Sequence, residues 1–369
     1  MFDRRLLEHF DWVLVIIVTM ITMIGFLTIY SASVSYGTVT PYFQKQMIWF
    51  YMGVAIMFAT TLVDYRFLGR FSFWLHLFMI FLLILVLFYG AGGPGSRVNR
   101  WLKIGPFFFQ PSEFVKFTLV AYLAHYFRDS RRINDIGFRE LVWPLTVTFI
   151  PLALILKQPD LGTGGLLLLV VAPMIFLVGL RYKVLLISLG IGLVSMPFAW
   201  YFLLKPYQRN RILTLINPEL DPLGKGYHII QSKIAVGSGT LWGKGYLQGT
   251  QAHLNFLPAR HTDFIFSVFT EEWGFFGGAL LITLYIILIM WCLKYVGKTR
   301  DRSGTILTVG VTAILASQIL INISMVLGLL PIVGMPLPFM SYGGSAMLSQ
   351  MLGIGLILNV RMRRYDIDR

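Results

Sequence analysis

Residues 12–30 read WVLVIIVTMITMIGFLTIY and contain no charged side chain. An α-helix needs about twenty consecutive apolar residues to cross the hydrocarbon core of a bilayer. The stretch is also longer than the apolar core of a secretory signal peptide, which covers roughly 7–15 residues. We therefore predict that this segment spans the membrane and is retained in the protein.

Nine further apolar stretches follow along the chain. The predicted spans are 12–30, 47–62, 73–89, 114–127, 141–156, 164–180, 184–204, 264–293, 305–329 and 346–360. Hydrophobic residues make up 56% of the 369 residues and charged residues only 13%, which is about half of the charged fraction of a typical soluble protein. The sequence predicts an all-α integral membrane protein of about ten transmembrane helices, with residues 1–369 in a single polytopic membrane domain.

The distribution of lysine and arginine predicts the orientation. If the N-terminus is cytoplasmic, the inner segments hold Arg4, Arg5, Arg66, Arg70, Arg128, Arg131, Arg132, Arg139, Arg181, Lys183, Lys294, Lys298, Arg300, Arg302, Arg361, Arg363, Arg364 and Arg369. The short outer connections hold only Lys45, Arg97, Arg100, Lys103 and Lys157. Because short loops rich in Lys and Arg stay in the cytoplasm, both termini are predicted to be cytoplasmic. Topology also explains much of the net charge of +14, so we expect no nucleic-acid partner.

Several classes of protein lack support in this sequence. The single cysteine, Cys292, can form no intrachain disulfide and is expected to pack in the interior. The chain has no cluster of Cys and His at metal-ligand spacing, no Walker loop and no Rossmann glycine motif. We therefore expect no organic cofactor, and neither an ATP-driven transporter nor a dinucleotide enzyme.

Residues 205–262, between the seventh and eighth spans, form a long polar segment that is predicted to be extracytoplasmic. A long loop without secondary structure is uncommon unless it is functional, and residues 227–236 have the pattern of a short amphipathic helix. The segment holds Lys205, Arg209, Arg211, Lys225, Lys233, Lys244 and Arg260 against only Glu219 and Asp221. Two interpretations stay open: the cations rest on anionic headgroups, or they bind a phosphorylated, membrane-anchored substrate.

Residues 95–116 form another predicted outer segment. Pro111 suits the first turn of a helix, and Glu113 suits the positive end of the helix dipole. Glu113 and Lys116 are three residues apart, so they share a helix face and can pair. Ionisable residues at membrane depth suggest a functional site by default, but a structural ion pair that ties this helix to its neighbours is the competing interpretation.

Two further outer segments carry polar or irregular sequence. Residues 157–163 form a turn in which Asp160 is either a helix cap or one wall of a polar site. Residues 335–345 contain prolines and glycines, which predict non-helical backbone where the chain re-enters the membrane. Such backbone is tolerated only when it is buried in protein or lines a polar cavity.

Asp263 lies where the long basic segment meets a very apolar span. Burial there would raise the pKa of this carboxyl, whereas Arg260 and His261 would lower it. A carboxylate at a membrane boundary beside basic residues has the properties of a general base. A structural cap or ion pair is the alternative.

Taken together, the polar segments resemble the SEDS family (shape, elongation, division, sporulation). The similar motifs are Arg100-Trp101, Gln110-Pro-Ser-Glu113 with Lys116, Gln158-Pro-Asp-Leu-Gly-Thr163, Gly237-Ser-Gly239, Gly243-Lys-Gly245, Gln251, Phe256-Leu-Pro258, His261-Thr-Asp-Phe-Ile-Phe266, Glu271-Glu272 and Pro338-Phe-Met-Ser-Tyr-Gly-Gly-Ser345. They extend in order over nearly the whole chain. Gly-Lys-Gly and the Arg before His-Thr-Asp resemble the RodA branch more than the FtsW branch. Many relatives carry an acid where this chain has Ala259.

The resemblance implies a ten-helix peptidoglycan glycosyltransferase that polymerises lipid II at the outer face of the bacterial inner membrane during cell elongation. It implies a class B penicillin-binding protein as partner, within the elongation machinery, and a catalytic role for Asp263. Magnesium or manganese is the cofactor that this chemistry admits. The predicted substrate-binding residues are Arg100, Trp101, Gln110, Glu113, Lys116, Asp160, Arg209, Lys225, Lys233, Lys244, Gln251, Arg260, His261, Thr262 and Ser341.

Two other functions stay open. A transporter that flips a lipid-linked precursor would use Glu113, Lys116 and Asp160 as coupling or headgroup-binding groups. However, the polar residues cluster on one face, and no internal repeat of the kind common in transporters is apparent. A scaffold that only holds partner proteins would leave the embedded charges unexplained.

Overall fold

The structure is a computed structural model. It describes residues 8–35, 38–39, 41–92, 99–105, 107–128, 137–204, 206–221, 224–254, 256–294, 296 and 301–364. Helices dominate this part of the chain, which confirms the predicted fold class. The helices are α1 (Trp12–Ser33), α2 (Tyr42–Leu62), α3 (Tyr65–Tyr89), α4 (Pro111–Tyr126), α5 (Phe138–Lys157), α6 (Leu161–Val178), α7 (Tyr182–Phe198), α8 (Pro206–Ile216), α9 (Lys225–Ser238), α10 (Thr250–His253), α11 (Ile265–Leu293), α12 (Arg302–Val326) and α13 (Gly344–Met362).

Each of the ten predicted spans coincides with one of these helices. Among the described residues, seven helices are long and apolar enough to cross a membrane, namely α1, α3, α5, α6, α11, α12 and α13. The other three are shorter or more polar, so the count of ten crossings stays a prediction. The third span begins earlier than predicted, because Asp64 accepts a hydrogen bond from the Arg66 amide and caps α3.

Five short strands, which the sequence did not predict, lie in the loops. Strands β1 (Val34–Ser35) and β2 (Thr38–Val39) form one antiparallel pair. Strands β3 (Ala91–Gly92), β4 (Asn99–Ile104) and β5 (Phe107–Phe109) form an antiparallel sheet in the order β3-β4-β5. This sheet precedes α4, so it leads the chain from the end of α3 to the Glu113–Lys116 helix.

The helices run between two ends, which we call the termini end and the site end. At the termini end, Trp291 Nε1 donates to Asp11 Oδ2 over 2.9 Å, and Tyr65 Oη donates to Asp301 Oδ2 over 2.6 Å. At the site end, the Gln110 amide donates to Ser345 Oγ over 3.1 Å. The site end also holds the strands and the segment 206–264. The polar connections that the sequence singled out therefore lie at one end.

The surface around the bundle is apolar. Phe88, Val194 and Phe202 each keep more than 70% of their area exposed, at 77%, 76% and 74%. A soluble monomer rarely exposes so many large apolar side chains together. In contrast, most residues of α4, α12 and α13 are buried. The protein is a multi-pass membrane protein with a packed centre and a lipid-facing exterior.

The segment 206–264 is folded rather than structureless. The predicted helix at 227–236 is present as α9, and its Ser232 hydroxyl donates to the Val326 carbonyl over 2.7 Å. This contact fixes α9 against the end of α12. The long segment therefore packs on the helical bundle and forms part of the site end.

Helix α11 is interrupted at Gly274, where φ is 66° and ψ is −163°. A β-carbon at Gly274 would approach the Gly243 amide nitrogen to 2.3 Å, so only glycine fits here. The backbone groups freed by the break bond to residues 240–245 instead. Lys244 N donates to the Glu271 carbonyl over 3.0 Å, and Phe275 N donates to the Thr240 carbonyl over 2.9 Å. The Gly-Lys-Gly motif thus holds the part of α11 before the break, which begins two residues after Asp263.

Candidate active site

Asp263 is held by its backbone rather than by its carboxylate. The Asn322 side-chain amide donates to the Asp263 carbonyl over 2.9 Å and to the Met335 carbonyl over 2.7 Å. The Ser341 hydroxyl donates to the Thr262 carbonyl over 2.6 Å. These bonds attach the residues before α11 to α12 and to the predicted non-helical segment, which is confirmed between α12 and α13. The backbone of Asp263 is fixed while its side chain is left for other contacts.

The carboxylate of Asp263 faces a set of charged groups. Its pKa is raised by burial, and it is lowered by the Lys225 ammonium, the Thr262 hydrogen bond and the Arg100 guanidinium. Asp160 raises it further. A β-carbon at Gly334, which has a φ of +71°, would lie 3.2 Å from Asp263 Oδ2, so glycine keeps this side open. The environment combines partial desolvation with cations that favour the charged form, as a general base requires.

Asp160 is a helix cap, one of the two roles that the sequence left open, and its role in a polar site stays a prediction. Its carboxylate accepts from the Thr163 amide over 3.2 Å and from the Thr163 hydroxyl over 3.0 Å, so it caps α6. It also lies 3.6 Å from Arg100 Nη1. Arg100 Nε donates to the Gln158 carbonyl over 3.0 Å. The turn 157–160 therefore orients Arg100 toward the group of charges around Asp263.

Lys225 is the second cation of this group. Its backbone amide donates to Asp221 Oδ2 over 2.7 Å, which caps α9 at this residue. The pKa of its ammonium is lowered first by burial and then by repulsion from Arg211 and Arg100, whereas Asp263 and Asp221 raise it. An anion placed among Lys225, Arg100 and Arg211 would relieve this repulsion. The cluster therefore has the charge and partial desolvation of a phosphate site.

The predicted Glu113–Lys116 pair is present and buried. Lys116 Nζ lies 2.8 Å from Glu113 Oε2, and the two residues are 1% and 3% exposed. Pro111 occupies the first turn of α4, as predicted. The Ser349 hydroxyl of α13 lies 3.5 Å from Glu113 Oε2, at the limit of a hydrogen bond. The pair balances its own charge inside the bundle rather than joining the charges that act on Asp263.

Two predicted binding residues lie at the interruption of α11. Lys244 Nζ is 2.6 Å from Glu271 Oε1 and 2.9 Å from the Thr250 hydroxyl. The Gln251 amide donates to the same Glu271 oxygen over 3.2 Å. Glu271 is fully buried, and Glu272 beside it accepts from the Ser31 hydroxyl. We call this group the Glu271 clamp, and its contacts are those of a structural element.

Other predicted residues contact backbone carbonyls or pack at the edges of the site. Arg209 Nη2 donates to the Tyr201 carbonyl over 2.7 Å, and Arg260 Nε donates to the Ala32 carbonyl over 2.8 Å. Lys233 packs over Gly328 at the end of α12, and Trp101 pairs with Ala91 in the sheet. Gln110 caps α4. None of these five has its main contact with Asp263.

His261 lies among aromatic rings instead of beside carboxylates. Its ring stacks on Tyr42 at a centroid distance of 4.1 Å. Burial and the nearby Arg260 lower the pKa of His261 to about 4. The imidazole is therefore neutral at neutral pH and does not lower the pKa of Asp263 by its charge, contrary to what the sequence suggested.

Sequence reasoning missed several residues that organise the site. Arg211 was noted only as one cation among many, and Asn322 was overlooked within an apolar span. A polar amide inside such a span is a recognisable signal. The open side at Gly334 and the ring of Tyr342 near His261 had no comparable signal, because both depend on contacts between distant segments.

The described residues contain no group of three or more His, Cys, Asp or Glu that could hold a metal ion. Asp160 and Asp263 are accompanied by Arg100 and Lys225, which supply positive charge without a metal. A divalent cation that enters with a diphosphate substrate stays a prediction.

The fold and this site define a multi-pass helical membrane protein that presents a carboxylate and basic side chains at one end of its bundle. Residues 11–366 match the family model of the cell cycle proteins FtsW, RodA and SpoVE. The chain belongs to this family, which confirms the resemblance seen in the sequence.

Known relatives are similar over nearly their whole length. The peptidoglycan glycosyltransferase MrdB of Escherichia coli K12 is 38% identical over 361 residues, which cover 98% of this chain and 96% of MrdB. A chain from a solved peptidoglycan synthase complex that coordinates polymerization and crosslinking matches with a TM-score of 0.81 and 30% identity, covering 96% of this chain and 98% of that chain. The rod shape determining protein RodA of Thermus thermophilus matches with a TM-score of 0.72, 28% identity and the same coverage of the two chains.

Proposed function

We propose that this protein is a peptidoglycan glycosyltransferase that polymerises lipid II into glycan strands. The observation that carries the proposal is the Asp263 carboxylate, which faces Lys225 and Arg100 while its backbone is fixed by Asn322. A glycosyl transfer from a lipid diphosphate needs one base and several cations, and this site supplies both. The names of the relatives support the same activity.

The reaction is a single displacement. The Asp263 carboxylate takes the proton from an acceptor sugar hydroxyl while that oxygen attacks the anomeric carbon of the donor. The bond from the anomeric carbon to the diphosphate oxygen breaks, and the lipid diphosphate leaves with the electron pair. Lys225 and Arg100 stabilise the negative charge that develops on it. One displacement inverts an α-linked donor into a β-linked product, so no covalent enzyme intermediate is needed.

The raised pKa of Asp263 suits this role. A carboxylate in water is a weak base, and burial strengthens it by disfavouring the charged form. Lys225 opposes the effect, because its ammonium lowers the pKa and favours the ionised form. The net raised pKa makes the carboxylate a stronger base than a free aspartate.

The proposed membrane location is the bacterial inner membrane, with the site end on its extracytoplasmic side and both termini in the cytoplasm. The distribution of Lys and Arg supports this orientation. Gly249 belongs to the long segment that is predicted to be extracytoplasmic, but it is buried against Glu271 and is a poor external probe. The exposed neighbour Gln248 is the better position.

Cysteine labelling tests the orientation, since the native Cys292 is fully buried. We expect an impermeant thiol reagent on intact cells to label Gln248→Cys but not Thr299→Cys, which lies outside the described residues. Labelling at 299 and not at 248 would reverse the proposed topology.

The proposed partner is a class B penicillin-binding protein, which would cross-link the strands as part of the elongation machinery. The similarity to a chain of a peptidoglycan synthase complex and to a rod shape determining protein supports this proposal. We expect a one-to-one complex that polymerises faster than the isolated protein. Equal turnover with and without the partner, while the complex persists, would contradict this role of the partner.

The decisive experiment uses the purified protein and its partner in proteoliposomes with labelled lipid II. We expect glycan strands to accumulate. A flippase would instead move lipid II between leaflets without making polymer, and that movement is followed in the same vesicles by accessibility of the label. Movement without polymer would replace the proposal by the transporter alternative.

A further inference from the structure

Three aromatic rings meet beside the catalytic segment. Tyr42 and His261 stack with an interplanar angle of 17°. Tyr342 stands across this stack, at 65° to Tyr42 with centroids 4.9 Å apart and at 69° to His261 with centroids 5.8 Å apart. The stacked rings of Tyr42 and His261 form one side of a corner, and the perpendicular ring of Tyr342 forms the other. We call it the aromatic corner.

The corner is assembled from three distant parts of the chain. Tyr42 begins α2, His261 lies two residues before Asp263, and Tyr342 belongs to the non-helical segment before α13. The Tyr342 amide donates to the His261 carbonyl over 2.9 Å, which fixes these two residues together. The buried Gln46 side chain donates to the Ser341 carbonyl over 3.2 Å and attaches the same segment to α2. The rings are therefore preorganised before any ligand binds.

The polar atoms of these rings are available to a ligand. Within the described part of the chain, neither the Tyr42 and Tyr342 hydroxyls nor the imidazole nitrogens of His261 make a hydrogen bond. Each ring is partly exposed rather than buried. Because burial and Arg260 lower the pKa of His261, its neutral ring offers one donor and one acceptor. A buried structural cluster would normally satisfy such atoms.

Flat apolar faces combined with hydroxyl and imidazole groups match the chemistry of a pyranose ring. The axial C–H groups of a sugar form an apolar face that packs on an aromatic ring, while its equatorial hydroxyls need hydrogen-bond partners. The aromatic corner carries no net charge from these side chains at neutral pH, so it does not suit the diphosphate. That group has its own cations at Lys225 and Arg100.

We propose that the aromatic corner of Tyr42, His261 and Tyr342 binds an N-acetylhexosamine ring of the glycan next to the reacting sugar. The assignment of the ligand rests on the proposed function. The corner is coupled to the reaction centre through the Ser341 bond to the Thr262 carbonyl, one residue from Asp263. A sugar held here fixes the position of its neighbour relative to the base.

The test measures binding without turnover. Chitobiose, a soluble disaccharide of N-acetylglucosamine, is added to the full-length protein in detergent micelles, and saturation-transfer NMR reports the dissociation constant. We expect Tyr42→Leu and Tyr342→Leu to weaken binding at least tenfold. Trp242→Leu is the matched control, because Trp242 is an aromatic residue of the same end that is 78% exposed. It should bind like the unaltered protein.

A second variant separates binding from folding. Tyr42→Phe keeps the ring stack, so it should melt at the unaltered temperature and still lose several-fold in affinity through its missing hydroxyl. In the polymerisation assay it should raise KM with little change in kcat. Unaltered chitobiose affinity in Tyr342→Leu and Tyr42→Phe, or no binding by the unaltered protein, would overturn the inference. Polymerisation of lipid II by the unaltered protein is scored separately, so failure of the corner and failure of the proposed function are distinguishable.

Discussion

Two carboxylates near the start of α11, those of Asp263 and Glu271, have opposite environments. In the Glu271 clamp, Lys244, Thr250 and the Gln251 amide all bond to one buried carboxylate oxygen. Among the described residues, no ammonium or guanidinium forms an ion pair with Asp263. Lys225 and Arg100, whose charges lower its pKa, also repel each other. A carboxylate is thus held by an ammonium and hydrogen bonds in one place, and lacks an ion-pair partner among the described residues in the other. Burial alone does not separate these two environments.

The largest effect is expected for Asp263→Asn. The amide is nearly isosteric and still forms hydrogen bonds, but it cannot accept the proton. We expect polymerisation per folded molecule to fall by on the order of 10²–10⁴. Glu219→Gln, an exposed acid of the same segment, is the matched control and should polymerise normally.

The same substitution also has a predicted effect on stability. A carboxyl whose pKa is raised by folding destabilises the native state above its unfolded pKa, so Asn should keep or raise the melting temperature. Recovery of activity at high magnesium or manganese would indicate a metal-binding role instead. Near-normal polymerisation would remove Asp263 from the mechanism and return attention to Glu113 and Asp160.

Substitutions in the Glu113–Lys116 pair test whether this fully buried pair stabilises the fold as the Glu271 clamp does. Glu113→Gln leaves the Lys116 ammonium buried without its carboxylate, which we expect to cost about 3–5 kcal/mol of stability together with activity. The charge-swapped double variant should recover melting temperature better than polymerisation. If either single variant has normal abundance and normal turnover, the pair is incidental to function.

Lys244→Met tests the clamp itself. It leaves the buried Glu271 carboxylate without its ammonium partner. We expect the free energy of unfolding to fall by about 2–3 kcal/mol, less than for a fully buried pair, because the Lys244 side chain is 27% exposed. Thermal unfolding in detergent measures the loss, with the exposed Lys45→Met as control. If Lys244 binds substrate, as the sequence suggested, KM should instead rise at an unchanged melting temperature.

Lys225→Gln should give the most specific change, a shift of the pH–rate profile that accompanies the rate lost with its stabilisation of the leaving diphosphate. Its ammonium lowers the pKa of Asp263, so its removal raises that pKa. The base then stays protonated to a higher pH, and the acidic limb of the pH–rate profile moves to higher pH. Lys225→Arg keeps the charge and should keep the limb. If the limb does not shift in the Gln variant, Lys225 does not influence the pKa of the base.

Hydropathy predicted the fold class because a bilayer imposes one length and one polarity on every span. The Glu113–Lys116 contact was predictable from spacing alone, since residues three apart on a helix are neighbours. Asp160 was recognised as a possible cap, and the structure confirms that it caps α6. These predictions succeeded where the decisive contacts are local.

The sequence was less informative about contacts between distant segments. Lys244 looks like a free cation in a basic segment, yet its partner is Glu271, 27 positions further along the chain. Arg260 likewise contacts the Ala32 carbonyl of α1, 228 positions away, and Arg209 bonds to the nearby carbonyls of Leu204 and Tyr201. Counting cations therefore overestimated the number of groups available to a phosphate. Only tertiary structure shows which cations act on the charge of Asp263.

The break at Gly274 also resolves a mismatch of length. A straight helix of 29 residues would be about 43 Å long, well beyond the roughly 30 Å of hydrocarbon in a bilayer. The part after the break, from Phe275 to Leu293, is about 28 Å long and matches that thickness. The turns that carry Glu271 and Glu272 then lie above the lipid tails, among headgroups and protein. Hydropathy counts them as membrane, but the kink places them in the interfacial layer at the site end, where two adjacent acids are far less costly than among lipid tails.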